Sequence, residues 1–168
     1  MDPEDIIYLL YEKHLPNRQQ SLDFRKELAQ RAEDMPNGAL RVLESLTPGS
    51  GHPMDWLSIG IQALGVAHTT GDVRADGLNL IARLPELMAT IFRLRGGRGL
   101  PSAGSEPHRG LVENFVHLLG KSDTEKDTVI RVLRAFLVLH MDHGGGNLST
   151  FTGKAVSSGR ASVYASMS

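Results

Sequence analysis

The chain has 168 residues, of which 40% are apolar and 22% charged, with a formal net charge of −1; this profile is typical of one globular domain with its own core. There is no basic excess to neutralise phosphates and no apolar run near the ~20 residues that cross a bilayer, so neither nucleic acid nor a membrane is an expected partner. The absence of cysteine excludes disulfides and thiolate metal sites, and no metal site is expected.

The N-terminal segment is acidic, since it carries Asp2, Glu4 and Asp5. Signal and transit peptides begin with basic residues, so this segment does not have the character of either. Together with the lack of cysteine, which suits a reducing compartment, it predicts a cytoplasmic location.

Residues that favour helix starts recur through the first half of the chain. Asp2 followed by Pro3 predicts a first helix ending near residue 13, and Asn17 is expected to cap a second that ends near residue 32. Pro36 and Pro53 open a third and a fourth helix. The fourth has apolar residues spaced by 3 and 4 positions along one face, namely Met54, Leu57, Ile61 and Leu64.

A fifth helix is predicted over about residues 72–94, with a bend at Pro85 because proline lacks the N–H that the helical ladder needs. Residues 95–107 are rich in Gly, Ser and Pro and are expected to form a loop. Its basic residues, Arg95 and Arg98 with Arg109 nearby, could meet a phosphate, but a solvated loop is the simpler account. A sixth helix is predicted over about residues 107–119.

The C-terminal third predicts two further helices. Ser122 and Glu125 form a capping box, and residues 129–139 are apolar on nearly every face, which predicts burial in the middle of the fold. Residues 147–168 predict a second buried helix, because small and apolar residues recur there every 3 or 4 positions. These are Leu148, Phe151, Ala155, Gly159, Val163 and Met167. No Gly or Pro stop signal follows Val163, so the chain is expected to be a fragment that ends inside a helix.

No alternating run of apolar and polar residues predicts a strand, so the expected fold is all-α and multi-helical, in a single domain over residues 1–168. Candidate chemistry is concentrated where the last two helices meet. His140 and His143 come at the C-terminal end of the apolar helix, where the helix dipole stabilises a cationic imidazole. Three glycines at 144–146 allow a tight turn, and Asn147 or Ser149 begins a helix with free N–H donors. Such a set suits a small polar carboxylate.

Two other interpretations of this segment stay open. Taken alone, a histidine pair at a helix end beside a glycine turn more often caps the helix than binds a ligand, so local sequence favours a structural role. A metal site is less favoured, since His140 and His143 lack the His-Glu-x-x-His spacing, and the glycines lack the strand and Lys-Ser/Thr ending of a phosphate loop. By default His52, His108 and His117 are expected to cap or pack.

Four segments, in a fixed order along nearly the whole chain, resemble the citrate synthase family. Residues 139–149 resemble its oxaloacetate-binding pattern, His-x-Asp-His-Glu-x-x-Asn-x-Ser, with Gly144 in place of the glutamate. Residues 51–64 resemble its His-Pro-Met helix, residues 114–120 its Asn-Phe-x-x-Met-Leu-Gly turn, and residues 8–16 its Leu-Leu-x-x-x-x-Leu-Pro segment.

The resemblance implies part of an all-helical large domain, truncated at both ends, from a homodimeric enzyme that condenses acetyl-CoA with oxaloacetate to citrate. It implies that His143 contacts oxaloacetate, that His140 and Asn147 lie close by, and that Ser149 supports the histidine acting on acetyl-CoA. Acetyl-CoA is then a substrate, and no cofactor is expected.

Departures from the family pattern limit what this chain is expected to do alone. The family's His-Gly-x-Ala-Asn and Gly-x-Gly-His segments and its Asp base are not found in residues 1–168, so the chain by itself is predicted to be inactive. The alternatives are a fragment of a 2-methylcitrate synthase, which uses propionyl-CoA, or a non-catalytic truncated paralogue that serves as a binding or dimerisation module.

Overall fold

The computed structural model describes residues 1–120, 123–142 and 147–168, with only the backbone for 123–125. Over these residues it contains nine helices and no strand, which confirms the all-α prediction. The helices are α1 (Pro3–Glu12), α2 (Arg18–Glu33), α3 (Asn37–Glu44), α4 (Pro53–His68), α5 (Val73–Arg95), α6 (Leu111–Leu119), α7 (Asp123–His140), α8 (Leu148–Ser158) and α9 (Val163–Met167).

Local capping explains why the first helices begin where the sequence predicts. The Asn17 side chain accepts the Gln20 N–H at 2.9 Å while the Gln20 side chain accepts the Asn17 N–H, so each residue satisfies a free donor at the start of α2. At α4, His52 Nδ1 accepts the Met54 N–H at 3.2 Å, which confirms its expected capping role. The predicted box at Ser122 lies outside the described residues.

α5 lies at the centre of the fold, packed against α2, α3, α4, α6 and α9, and it continues through Pro85. One apolar cluster lies between α5 and α3, α4 and α9; its residues are Ala39, Leu43, Trp56, Ile61, Leu64, Leu80, Leu87, Ile91, Leu94 and Tyr164. A second lies between α5 and α1 and α2; its residues are Ile7, Phe24, Leu28, Ala32, Leu78 and Ala82. Because α5 contributes to both clusters, it fixes the two ends of the molecule relative to each other.

The sixth helix begins at Leu111, four residues later than predicted. Asn114, which is 5% exposed, explains the difference, because its side chain accepts the Glu106 N–H at 2.7 Å and donates to the carbonyls of Glu106 and Arg109. These bonds hold residues 106–110 as a turn before the helix. Pro107 had predicted that the helix begins there. Hydrogen bonds to the Asn114 side chain instead hold this segment outside the helix.

The prediction that residues 129–139 are buried is wrong for this chain. Val132, Phe136 and Leu139 are 61%, 53% and 76% exposed. α7 packs on α6 and α1, and Arg134 on that side forms ion pairs with Asp2 and Glu113. Arg134 therefore helps to attach α7, while Val132, Phe136 and Leu139 lie outward.

The prediction of one buried helix over residues 147–168 is also wrong. Arg160 has a left-handed backbone with φ of 62°, and it separates α8 from α9. No residue of α8 is buried, and Leu148 and Phe151 are 79% and 69% exposed. The buried residue of this region is Tyr164 in α9, which the predicted seam did not include.

Candidate functional site

His140 is the last residue of α7, and its ring is held by two local contacts. Its Nδ1 lies 2.8 Å from the Phe136 carbonyl oxygen, and its ring stacks on the Phe136 ring with 4.2 Å between centroids. A carbonyl oxygen can only accept, so Nδ1 carries the proton and Nε2 is the atom that faces outward. The bond is of the capping type that local sequence favoured, and it orients the imidazole without using the nitrogen that a ligand would need.

His143, the predicted oxaloacetate contact, and the three glycines after it lie outside the described residues. Just before them, Met141 packs against the cluster formed by α1, α2 and α5. The residues just after α7 are therefore attached to the body of the fold at Met141. The role of His143 stays a prediction.

Asn147 is the N-cap of α8, and its side-chain oxygen accepts the Thr150 N–H at 2.8 Å. An asparagine side chain has an amide group in addition to that oxygen, so capping leaves the two N–H donors available for a ligand. Ser149 lies in the first turn of α8 and is exposed. Among the described residues, no hydrogen bond or ring contact joins His140 to Asn147 or Ser149.

The two helix ends that flank residues 143–146 have opposite electrostatic character. The C-terminus of α7, where His140 lies, carries the negative end of a helix dipole. The N-terminus of α8, with Asn147 as its N-cap, carries the positive end and free N–H donors, which favour an anion.

The basic residues around residues 95–109 serve the fold instead of forming a phosphate site. Arg95 donates to the Ser50 carbonyl at 2.6 Å and lies over the Trp56 ring, while Arg98 donates to the Leu119 carbonyl at 3.2 Å. Arg109 forms an ion pair with Glu106 at 2.8 Å. His108 Nε2 and His117 Nε2 lie 3.2 Å and 2.8 Å from oxygens of that carboxylate. The His117 side chain is mostly buried there, as expected for a packing residue, whereas the His108 side chain is exposed and does not pack.

A buried polar cluster beneath α9 was missed by the sequence analysis. Arg83 is 3% exposed; its guanidinium lies 3.3 Å from His68 Nδ1 and 3.7 Å from Asp34 Oδ2. Asp76, 2% exposed, accepts bonds from Thr69 and Thr70. These residues come from the position just after α2, from α4 and α5, and from the turn between α4 and α5, so no single stretch of sequence carries the signal.

A cleft of about 450 Å³ lies between α2, α5 and the segment before α6, with an apolar floor that includes Leu28 and Ala82. Two of its cationic lining residues are paired, Arg25 with Asp2 and Arg109 with Glu106. Within the described ranges, no group of three His, Cys, Asp or Glu side chains is arranged to hold a metal ion. No described helix combines the length and apolarity that a membrane crossing requires.

Comparison with known proteins decides the family. The family model described as "Citrate synthase, C-terminal domain" matches residues 1–168. The chain belongs to the citrate synthase family. It is 32% identical over 180 residues to the mitochondrial citrate synthase of Citrus maxima, and this alignment includes 98% of the chain. It is 31% identical over 182 residues to the mitochondrial 2-methylcitrate synthase of Aspergillus fumigatus, and the alignment includes the whole chain.

The fold agrees with that of solved citrate synthases. The citrate synthase of the thermophilic archaeon Thermoplasma acidophilum, solved as a ternary complex with carboxymethyl coenzyme A and oxaloacetate, superposes on 99% of the chain with a TM-score of 0.83 and 20% identity. The chain spans 43% of that protein, 36% of the Citrus maxima citrate synthase and 39% of the Aspergillus fumigatus 2-methylcitrate synthase. It therefore corresponds to about two fifths of a citrate synthase.

Proposed function

We propose that the chain forms the part of a citrate synthase that holds oxaloacetate for condensation with acetyl-CoA. The observation that carries this proposal is the family match over all 168 residues, which includes the segment from His140 to Ser149. The start of α8 supports it, because a helix N-terminus with free N–H donors and the Asn147 amide favour a carboxylate.

Each residue has a separate role in this proposal. His143 donates a charge-assisted hydrogen bond to oxaloacetate, and His140 offers Nε2 from a ring whose orientation is fixed by Phe136. Asn147 caps α8 through its oxygen and donates to the substrate through its amide. Ser149 supports the histidine that acts on acetyl-CoA. The protein works as a homodimer in the cytoplasm and without a cofactor, although the relatives compared above are mitochondrial by name.

A second candidate is 2-methylcitrate synthase, which the 31% identity to the Aspergillus fumigatus enzyme favours. The two activities differ in the acyl-CoA, acetyl for citrate and propionyl for 2-methylcitrate. The ratio of kcat/KM for the two thioesters, measured on the complete protein, decides between them.

The proposal is tested by His143→Ala in the complete protein. Loss of a charge-assisted hydrogen bond costs about 1.5–3 kcal/mol, so the oxaloacetate Kd should rise roughly ten- to a hundred-and-fifty-fold. Binding of acetyl-CoA to the oxaloacetate-free enzyme should be nearly unchanged, and so should the melting temperature. An unchanged oxaloacetate Kd in a folded variant would contradict the assignment.

Asn147→Asp provides a matched control that separates capping from binding. Aspartate keeps the oxygen that accepts the Thr150 N–H, and its charge suits a helix N-terminus, so the melting temperature should not fall. It removes the amide donors and repels a dicarboxylate, so oxaloacetate affinity should be lost. If Asn147 only caps α8, this variant binds oxaloacetate normally.

A further inference from the structure

α8 carries Asn147 and Ser149, yet it has little attachment of its own to the rest of the molecule. No residue of α8 is buried, and among the described helices its main neighbour is α9. α9 in turn packs on α4 and α5, the helices at the centre of the fold. The position of the α8 N-terminus therefore depends on how α9 is held.

Tyr164 is the buried residue of α9 and its main anchor on the body of the fold. Tyr164 is 1% exposed and belongs to the apolar cluster around α4 and α5. Its ring lies directly on Gly65 of α4, where a Cβ would come within 2.6 Å of the Tyr164 Cβ and 2.8 Å of its Cγ. The absence of a side chain at Gly65 is what allows this contact. A helix of five residues has too few backbone bonds to be stable alone, so the tyrosine determines its place.

The aromatic ring of Tyr164, and not its hydroxyl group, provides most of the attachment of α9. No hydrogen bond of normal geometry reaches the Tyr164 hydroxyl from the described residues, and the Nε and Nη1 of Arg83 are likewise buried without a partner. Burial raises the pKa of Tyr164, which keeps its hydroxyl neutral. Removing the hydroxyl should therefore matter much less than removing the ring.

A second close contact, between α9 and α8, makes the position of α8 depend on that of α9. A Cβ on Gly153 of α8 would lie 3.4 Å from the Ser166 carbonyl oxygen of α9, so the two helices approach at backbone distance. The C-terminal Ser168 also accepts a bond from Gln62 of α4 at 3.4 Å. The packing contacts that connect α4 to α8 are therefore those of Tyr164 with Gly65 and of Gly153 with Ser166.

We infer that Tyr164, seated on Gly65, is a positioning residue for oxaloacetate binding: it fixes α9, and through α9 the end of α8 that carries Asn147 and Ser149. The inference rests on the proposed function, because it assigns to Tyr164 the placement of groups that contact the substrate. Tyr164 itself touches no reacting atom in this scheme.

The test uses the complete protein with Tyr164→Ala, Tyr164→Phe and Leu43→Ala. Leu43 of α3 is fully buried in the same apolar cluster, and α3 packs on α4 and α5, so Leu43→Ala is a matched control for loss of a buried side chain away from α8 and α9. Tyr164→Ala should raise the oxaloacetate Kd by ~10-fold or more. It should also speed amide exchange in residues 148–158 relative to α5. Tyr164→Phe and Leu43→Ala should stay within ~2-fold of the wild-type Kd.

Gly65→Ala keeps the inference testable if Tyr164→Ala folds poorly. It would place a Cβ 2.6 Å from the Tyr164 Cβ, so α9 must shift and oxaloacetate binding should weaken although position 164 is unchanged. Equal Kd values for Tyr164→Ala and Leu43→Ala, or a folded Gly65→Ala variant with the wild-type Kd, would overturn the inference and leave the proposed function standing. A wild-type protein that binds no oxaloacetate would overturn both.

Discussion

Glu86 and Asp76 are two buried carboxylates of α5 with opposite electrostatic environments. Glu86 accepts bonds from the Ser105 N–H and hydroxyl, each at 3.3 Å, and burial raises its pKa because these long bonds do not offset the loss of water. Burial would also raise the pKa of Asp76, but hydrogen bonds from Thr70 and Thr69 together outweigh it, so its pKa is lowered. At neutral pH one charge opposes folding and the other favours it.

Glu86→Gln tests this difference. The folded pKa of Glu86 lies above its ordinary value of 4.5, so between the two values the native state binds more protons and stability falls as pH rises. Glutamine removes this loss, and the variant should gain on the order of 1 kcal/mol at pH 7 and little at pH 4. Urea unfolding at both pH values measures it.

Asp76→Asn is the control of opposite sign for this experiment. The lowered pKa of Asp76 contributes stability that is present at neutral pH and lost as pH falls. The asparagine variant should therefore be less stable than the wild type at pH 7, by a margin that shrinks in acid. A Glu86→Gln variant that loses the same stability at every pH would contradict the assignment of a charge effect.

At the scale of elements, α7 and α8 each carry large apolar side chains that the described part of the chain leaves exposed. They are Val132, Phe136 and Leu139 on α7 and Leu148 and Phe151 on α8, each more than half exposed. The 3.6-residue pattern predicts burial for these helices, but it does not contain the neighbour that would have to cover them. Exposed large apolar side chains favour association.

The 168-residue chain is therefore expected to self-associate at concentrations well above micromolar. Leu139→Ser with Phe151→Ser removes two of the most exposed apolar groups and should shift sedimentation toward the monomer. Val66→Ser with Val73→Ser, at positions 91% and 75% exposed on α4 and α5, is the matched control. A wild-type chain that sediments as a clean monomer would contradict the prediction.

At the scale of the whole molecule, the chain holds its candidate substrate residues on the outside of a helical core. α5 joins the two apolar clusters, Met141 attaches the end of α7 to one, and Tyr164 attaches α9 to the other. The two helix ends of the candidate site thus depend on different clusters. The family segments that supply the catalytic base and the acetyl-CoA histidine are not found in residues 1–168.

We therefore expect the 168-residue chain alone to release no coenzyme A from acetyl-CoA and oxaloacetate. Loss of the base and of the groups that stabilise the enol oxygen removes most of the transition-state stabilisation. A thiol-release assay on the purified chain, with the complete protein as the positive control, measures this. Thiol release above background from the chain alone would contradict it.

The sequence by itself determined the features that depend on residues close together along the chain. Helix starts such as those at Asn17 and His52 depend on side chains within three positions, and the all-α fold follows from many such signals. The family likewise follows from residues in a fixed order. Residue types also identified His140 and Asn147 as candidates, because histidine at a helix end and asparagine at an N-cap have recognisable chemistry.

Only the tertiary structure decided which apolar residues are buried and what holds the site in place. Tyr164 lies on Gly65, about a hundred residues earlier, and Arg83 meets groups from two other helices, so no local period could reveal either contact. The left-handed backbone at Arg160 lies between α8 and α9, and only the packed structure shows that α9 then places Tyr164 on Gly65. Burial depends on which neighbours come together in space, and this is a property of the packed chain that the pattern along a single helix does not contain.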